Sequence, residues 1–259
     1  MTMQKIVLLV AMLVASFNAH CREAVTVAAA ADLTYCMEEL NAEFAKIRPV
    51  VDVTTTIGSS GTFFAQIRNG APIDVYLSAD MNFPRRLIAE KAADANSLTP
   101  YAIGRIVVWT LRPDLDIKAG IGSLVNPAVS RIAIANPEHA PYGRAAKAAM
   151  ERAGIWKEIE SKVVMAENIS QTRQFVQTGN AEIGIIALSL AMAPAMKGIG
   201  KYVLVPEDAH PRLEQGAVLT NQGAENPAAR AYMEFLKSRA ARVIFEKYGF
   251  VLPKDGLGY

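Results

Sequence analysis

Short apolar segments alternate with helical segments along most of this chain, and this alternation is the feature that most constrains its fold. Val25–Ala30, Ile73–Leu77 and Ile183–Ala187 are short apolar runs typical of buried strands. Leu33, Cys36, Met37, Leu40, Phe44 and Ile47 recur at helical spacing, and Pro49 ends that helix. Strands and helices that alternate in this way predict an α/β protein with largely parallel sheets.

The same patterns place the remaining elements. Strands are predicted at Val51–Thr55, Ile103–Leu111, Arg131–Ala135, Lys162–Ala166, Tyr202–Pro206 and Gly216–Thr220. Helical signal covers Phe63–Asn69, Phe83–Ala92, Tyr142–Ala153, Ser170–Thr178 and Pro227–Lys247. Because no low-complexity linker or internal repeat occurs, we expect two neighbouring α/β lobes joined by extended crossovers near 102–111 and 206–216. The expected division is residues 22–101 plus 213–259 for one lobe and 102–212 for the other.

The N-terminus has the pattern of a secretory signal peptide, expected to span residues 1–21. Lys5 precedes the apolar run Ile6–Ala15, which is too short to cross a membrane. Ala19 and Cys21 occupy the −3 and −1 positions of a cleavage site. His20 fits poorly before a lipoprotein-type cut, so lipid anchoring through Cys21 is not expected. The mature protein should be soluble and exported to the periplasm.

Charge and cysteine content exclude several classes of function. The chain has 27 basic and 25 acidic residues, without a block of like charge, which argues against nucleic-acid or membrane-surface partners. Cys36 lies on the apolar stripe of the first helix and is predicted to be a buried, unreactive thiol. No cysteine or histidine has the spacing of a metal site, so we expect no resident metal or cofactor, and we expect a monomer.

Four strand-to-helix junctions built from small or hydroxyl residues carry the functional signal. They are Ala31-Asp32, Ser59-Ser60, Pro141-Tyr142-Gly143 and Asn168-Ile169-Ser170. Each alone is most simply an ordinary helix cap. Four together, two in each expected lobe, predict a cleft in which backbone N–H groups and hydroxyls hold a small oxyanion.

Catalytic patterns are weaker. The sequence contains no GxSxG, HExxH, CxxC, P-loop or GxGxxG motif. Asp74 and Asp80 flank a predicted strand and are expected to end a turn and to cap a helix, respectively. His139 stands in a proline-bracketed turn and is expected to be structural rather than a general base.

Several longer segments support an oxyanion site. They are Val25–Thr34, Gly58–Thr62, Gln66–Asp80, Asn136–Gly143, Gly184–Ala187, Val205–His210 and Phe245–Phe250. In these segments the chain resembles the periplasmic molybdate-binding proteins of bacterial ABC transporters, and the resemblance covers nearly all of the mature chain. It implies a type II periplasmic-binding-protein fold, in which two α/β lobes close around a dehydrated ion. It also implies that molybdate or tungstate is the ligand and that an ABC permease is the partner.

The resemblance assigns binding positions residue by residue. Ser60 matches a serine that donates through its hydroxyl and backbone, while Tyr142 and Ile169 match positions that donate backbone N–H groups. Asp32 and Ala187 are the two other expected ion-binding positions, and both depart from the family pattern: Asp32 stands where a serine is common, and Ala187 stands where a cleft tyrosine is common. The Tyr142 hydroxyl could replace that missing tyrosine.

Asp32 leaves three interpretations open. Its side chain could turn away and cap the helix while its backbone N–H binds the ion, which is the expected arrangement. It could be protonated in the closed cleft and donate a hydrogen bond. It could instead accept a proton from a ligand such as hydrogen phosphate, which would change the specificity. The alternatives to molybdate are therefore another tetrahedral oxyanion (sulfate, phosphate or chromate) or, in a different class, an exported phosphate-ester hydrolase.

Overall fold

The protein is described by a computed structural model that covers residues 23–253. Ten strands form two separate five-stranded sheets. The strands are β1 (Glu23–Ala30), β2 (Val51–Gly58), β3 (Val75–Ser78), β4 (Thr99–Gly104), β5 (Ile106–Thr110), β6 (Ile132–Ala135), β7 (Val163–Ala166), β8 (Ile183–Ala187), β9 (Lys201–Leu204) and β10 (Leu213–Leu219). The first sheet has the order β2-β1-β3-β10-β4, and the second has the order β7-β6-β8-β5-β9.

Ten α-helices accompany the sheets within the described residues. They are α1 (Cys36–Ile47), α2 (Ser60–Arg68), α3 (Asn82–Ala89), α4 (Pro141–Arg152), α5 (Trp156–Ile159), α6 (Ile169–Gln177), α7 (Leu188–Met192), α8 (Asn221–Glu225), α9 (Pro227–Lys237) and α10 (Arg239–Lys247). Short 3-10 helices connect several of them, including Ala31–Leu33 directly after β1. Each sheet with its helices forms one lobe, and lobe one carries the first sheet.

Both sheets are mixed, so the prediction of largely parallel sheets is only half right. In lobe one β1 runs parallel to β2 and β3, whereas β10 is antiparallel to β3 and β4. In lobe two β6 runs parallel to β7 and β8, whereas β5 is antiparallel to β8 and β9. The antiparallel pairs involve β5 and β10, the strands with which the chain enters each lobe from the other. Parallel neighbours need a crossover connection, usually a helix, whereas these strands do not.

The crossings between the lobes are short. The expected single strand Ile103–Leu111 is two strands in different sheets, β4 and β5, separated by Arg105 alone. The first segment of lobe one therefore extends as far as Gly104. The return runs from the end of β9 to the start of β10 at Leu213, three residues earlier than the strand predicted at Gly216.

Two helix predictions need correction. The first helix begins at Cys36 rather than near Leu33, because residues 31–33 form a 3-10 turn. The helical signal at Pro227–Lys247 is two helices that break at Ser238, which has an extended backbone and accepts a hydrogen bond from the N–H of Ala241 as the cap of α10. Cys36 is a buried free thiol, as expected.

The proposed signal peptide, its cleavage site and the question of lipidation at Cys21 lie outside the described residues. No helix between residues 23 and 253 has the length and apolar character of a membrane span.

Candidate functional site

A small pocket lies between the lobes where strands end and helices begin. It has about 200 Å³ of empty space, part of it open to solvent. Its walls are the residues that follow β1, β2 and β3 in lobe one and β6 and β7 in lobe two. They are Ala30–Asp32, Gly58–Ser60, Ala79, Ala140–Tyr142, Asn168 and Ile169. All four junctions predicted from the sequence therefore meet at one place, as the carboxyl ends of strands in α/β sheets do.

Ser60 presents a hydroxyl proton to this pocket. Its Oγ accepts a hydrogen bond from the N–H of Ala79 at 3.0 Å, and its backbone carbonyl accepts one from the Tyr76 hydroxyl at 2.7 Å. A serine hydroxyl has one proton, and the bond from Ala79 uses only an acceptor position. Ser60 is therefore held in place while it keeps its donor for a ligand.

Tyr142 and Ile169 each bring a backbone N–H to the pocket from the first turn of a helix. Tyr142 is the second residue of α4, after Pro141, and Ile169 is the first residue of α6. N–H groups in the first turn have no acceptor within the helix. The Asn168 side chain accepts from the N–H groups of Ser170 and Gln171, which leaves the N–H of Ile169 uncapped.

The positive potential of the pocket comes from backbone rather than from cations. The lining residues include no Lys, Arg or His. The helices α2, α4 and α6 all begin at the pocket, and the N-terminus of each carries about half a positive charge. Fixed donors of this kind suit a small oxyanion that has lost its water.

Asp32 does not cap a helix, so the capping role expected for its side chain is wrong, whereas ion binding by its backbone N–H stays a prediction. The 3-10 turn at Ala31–Leu33 has no side-chain cap, and the Asp32 carboxyl points to other groups. Its Oδ2 accepts from Gln215 Nε2 at 2.6 Å and from the Tyr142 hydroxyl at 2.9 Å. No group in residues 23–253 hydrogen-bonds to its Oδ1. The residue is 1% exposed.

Burial governs the charge of this carboxyl. It raises the pKa of Asp32 from 3.8 to about 6, against the lowering effect of the bonds from Gln215, from Tyr142 and from the backbone N–H of Asp32 itself. Beside an ion at about 4 Å, an ionised carboxylate would be repelled by ~4 kcal/mol per unit of ligand charge at an effective dielectric of ~20. Protonation at pH 7 from a pKa of about 6 costs only about 1.4 kcal/mol. Protonation of this carboxyl would therefore cost less free energy than the repulsion of such an anion.

Gln215 is a member of the site that sequence reasoning missed. It is fully buried on β10, at the point where the register between β4 and β10 shifts and leaves Tyr101 as the extra residue. The Tyr101 hydroxyl lies 2.7 Å from Gln215 Oε1 and donates to it, so the amide turns its Nε2 toward Asp32. A glutamine directly before the apolar run Gly216–Leu219 was the available signal.

The Tyr142 hydroxyl is engaged by protein rather than left for a ligand. It donates to Asp32 Oδ2 and accepts from Gln215 Nε2 at 3.1 Å. Its one proton is therefore directed at Asp32, which differs from the suggestion that it replaces a missing cleft tyrosine.

Ala187 is not among the residues that line the pocket. It ends β8 and precedes α7, and its methyl group is too short to reach far into the cleft. The neighbouring Ser189 contributes instead to the frame of the site, because its hydroxyl donates to the backbone carbonyl of Asp32 at 2.7 Å.

The two lobes touch across the pocket. The carbonyl oxygen of His139 in lobe two accepts from the Ser59 hydroxyl at 2.7 Å and from the N–H of Gly61 at 2.9 Å, both in lobe one. An ion pair joins Arg144 of α4 to Asp80, which follows β3. In this structure the two lobes are therefore closed against each other at the pocket.

The other candidates for catalysis have structural contacts. Asp80 accepts from the N–H groups of Asn82 and Phe83 at the start of α3, as predicted for a cap. Asp74 accepts from the N–H of Thr26 at 2.8 Å. The His139 ring lies 3.1 Å from the carbonyl oxygen of Glu167, outside the pocket lining. The described part of the chain contains no cluster of three metal-ligating side chains.

Comparison with known proteins agrees with this geometry. A model of the family described as "Bacterial extracellular solute-binding protein" matches residues 25–251. The molybdate-binding protein ModA of Rhodobacter capsulatus is 39% identical over 228 residues, which cover 88% of each chain. The ModA protein of Azotobacter vinelandii is 37% identical over 88% of this chain and 90% of its own. A solved structure of the periplasmic molybdate-binding protein of Azotobacter vinelandii matches with a TM-score of 0.84 and 32% identity, over 89% of this chain and all of that one.

Proposed function

The chain belongs to the bacterial extracellular solute-binding proteins, and we propose that it captures molybdate outside the cytoplasm and delivers it to an ABC permease. Relatives named as molybdate-binding proteins align over most of its length, which supports this choice of ion. We extend the proposal to tungstate, a tetrahedral dianion of similar shape. The family is one of binding proteins, and we propose no catalytic role.

The observation that carries the proposal is the convergence of fixed donors on one small pocket without a cation. We assign the ion-binding roles to the Ser60 hydroxyl, to the backbone N–H groups of Ser60, Tyr142 and Ile169, and to Asp32. Ala187 receives no direct role, because it lies outside the pocket lining. The ion would contact these groups through its oxygens, so no protein atom need bind the metal itself.

Closure of the lobes would report the bound ion to the permease. The site takes donors from both lobes, so an ion between them favours the closed form over the open one. Within the described residues we place lobe one at 23–104 plus 213–253 and lobe two at 106–212, with the first crossing at Arg105 and the second between β9 and β10, so the first boundary lies three residues beyond the one predicted from the sequence. The protein would act as a monomer in the periplasm.

Calorimetry of the mature protein tests the proposal. Titrations with molybdate, tungstate, sulfate and phosphate should give saturable heat at a stoichiometry of one for the first two ions and weak or no heat for the others. Heat for sulfate or phosphate but none for molybdate would refute the assignment. A parallel assay for phosphate-ester hydrolysis with added divalent metals should show no turnover.

One observation favours a second ion. The unpartnered oxygen of Asp32 could accept a hydrogen bond from a protonated ligand such as hydrogen phosphate. The phosphate titration therefore decides between a carboxylate that accepts from the ligand and a carboxylic acid that donates to it.

A further inference from the structure

The Asp32 carboxyl is the one polar group of the pocket whose role the fixed donors do not explain. We propose that Asp32 binds the oxyanion as a neutral carboxylic acid, donating from Oδ1, so that one proton enters the site with each ion. This inference rests on the proposed function and names how the same site selects its ligand. In the balanced step, an ionised Asp32, one solvent proton and a dianion give a complex with a protonated Asp32 and no covalent bond to the ion.

The two oxygens of this carboxyl have different surroundings. Oδ2 accepts two hydrogen bonds, from Gln215 and Tyr142, whereas Oδ1 has no partner among residues 23–253. A carboxylate with one bare oxygen leaves a buried charge unsatisfied. A carboxylic acid with its proton on Oδ1 matches the arrangement, because Oδ2 is then the carbonyl acceptor and Oδ1 is a donor without an internal acceptor.

The titratable groups that face Asp32 do not supply a compensating charge. They are Tyr142 from α4, Tyr101 from β4 and Cys36 from α1, and burial raises the pKa of all three so that they stay neutral. No Lys, Arg or His in the described residues bonds to or pairs with this carboxyl.

The charged side chains on the elements packed nearby are also engaged elsewhere. Arg144 of α4 pairs with Asp80. Arg173 of α6 donates to Gln177 and lies over the ring of Tyr35, with its guanidinium carbon 5.5 Å from the ring centroid. On the side of α7 the group that touches Asp32 is the neutral Ser189. Protonation is therefore the available way to remove the charge of Asp32 when a dianion arrives.

The proposal makes molybdate affinity depend on pH. Burial gives the empty protein an Asp32 pKa of about 6. If the complex requires the protonated form, affinity should fall about 50-fold between pH 6 and pH 8, and about 0.9 proton should be taken up per ion at pH 7. Molybdate is a dianion throughout this range, so the dependence belongs to the protein.

The test is calorimetric titration with molybdate in two buffers of different ionisation enthalpy, repeated between about pH 6 and pH 8. The wild type should show the proton uptake and the loss of affinity. Asp32→Asn keeps one hydrogen-bond donor and one acceptor but cannot ionise. It should bind molybdate without proton uptake and without a loss of affinity at higher pH. Asp74→Asn removes a buried carboxyl that lies outside the pocket lining and should behave as the wild type.

The outcomes separate this inference from the proposed function. Tight molybdate binding without proton uptake in the wild type would overturn the inference and leave the function intact. Proton uptake that persists in Asp32→Asn would also overturn it. No molybdate binding by either protein would refute the function itself, and hydrogen phosphate bound without proton uptake would mean that Asp32 accepts from the ligand. Far-ultraviolet circular dichroism of each variant establishes that it is folded.

Discussion

Replacing Asp32 with asparagine should stabilise the empty protein at neutral pH. The carboxyl is fully buried without a cation, so folding holds a charge where it is poorly solvated. Its pKa rises from 3.8 in the unfolded chain to about 6 in the fold. A difference of about two pH units, at 1.36 kcal/mol for each, makes the ionised side chain cost about 3 kcal/mol at pH 7.

The direction of the pH dependence follows from the raised pKa. Below the unfolded value both states are protonated, and the folded protein bears no cost. As pH rises through about 6 the unfolded chain has already released its proton, so the stability of the wild type falls by comparison with Asp32→Asn. The difference in unfolding free energy between Asp32→Asn and the wild type should grow between about pH 4 and pH 7 and then stay constant.

Thermal unfolding followed by circular dichroism, in oxyanion-free buffers across this range, measures the gap. For a chain of this size about 3 kcal/mol corresponds to a midpoint about 6–12 °C higher for Asp32→Asn at pH 7. Asp116→Asn, at an exposed site, should follow the wild type. Parallel wild-type and Asp32→Asn curves from acid to neutral pH would refute the argument that burial destabilises this carboxylate.

Three further substitutions probe the donors and the closure. Ser60→Ala removes a hydrogen bond to a charged ligand, about 1.5–3 kcal/mol, so molybdate affinity measured by calorimetry should fall about 10- to 100-fold. Gly61→Ala places a Cβ 2.7 Å from both the Cβ and the carbonyl oxygen of His139, so it should hold the lobes apart and weaken binding, with a larger radius of gyration in X-ray scattering with ligand. Arg144→Ala breaks the ion pair with Asp80, which is partly exposed, so affinity should fall by at most about fivefold.

Matched controls exist for two of these changes. Gly122→Ala meets only the Ala119 methyl at 3.6 Å, an ordinary contact, and should leave closure unchanged. Arg152→Ala removes an ion pair with Asp208 inside lobe two and should not alter affinity. Normal closure of Gly61→Ala, or equal effects of Arg144→Ala and Arg152→Ala, would contradict the closed geometry. If Ser60→Ala bound molybdate with unchanged affinity, the Ser60 hydroxyl would not be a ligand of the ion.

Local patterns in the sequence were sufficient to predict most of the strands and the four junctions. β1 follows from an apolar run and α1 from a helical stripe, and α2 and α6 follow from helical signal that was predicted to begin at Phe63 and Ser170, after their actual starts at Ser60 and Ile169. These features depend on neighbours in sequence. Their meeting at one pocket follows from the rule that parallel strands end at one edge.

Features that depend on distant partners were missed. Two apolar runs separated only by Gly104 and Arg105 hid the passage between the sheets, because both strands are buried and look alike in sequence. The role of Asp32 was misjudged because its partners Tyr142 and Gln215 lie 110 and 183 residues away. A local rule assigns an acidic residue at a helix start to a cap, and only the tertiary structure supplies the competing donors.

The position of β10 in the chain sets the order in which the sheets of the two lobes can acquire all their strands. Lobe two is assembled from a continuous stretch, β5 to β9, so all of its strands are present once residue 204 has been synthesised. Lobe one begins the chain, yet β3 and β4 flank a gap that only residues 213–219 fill. Until then these two strands keep unpaired edges that a growing chain must protect from other strands. The lobe whose first strand is synthesised first is therefore the one whose sheet is completed last.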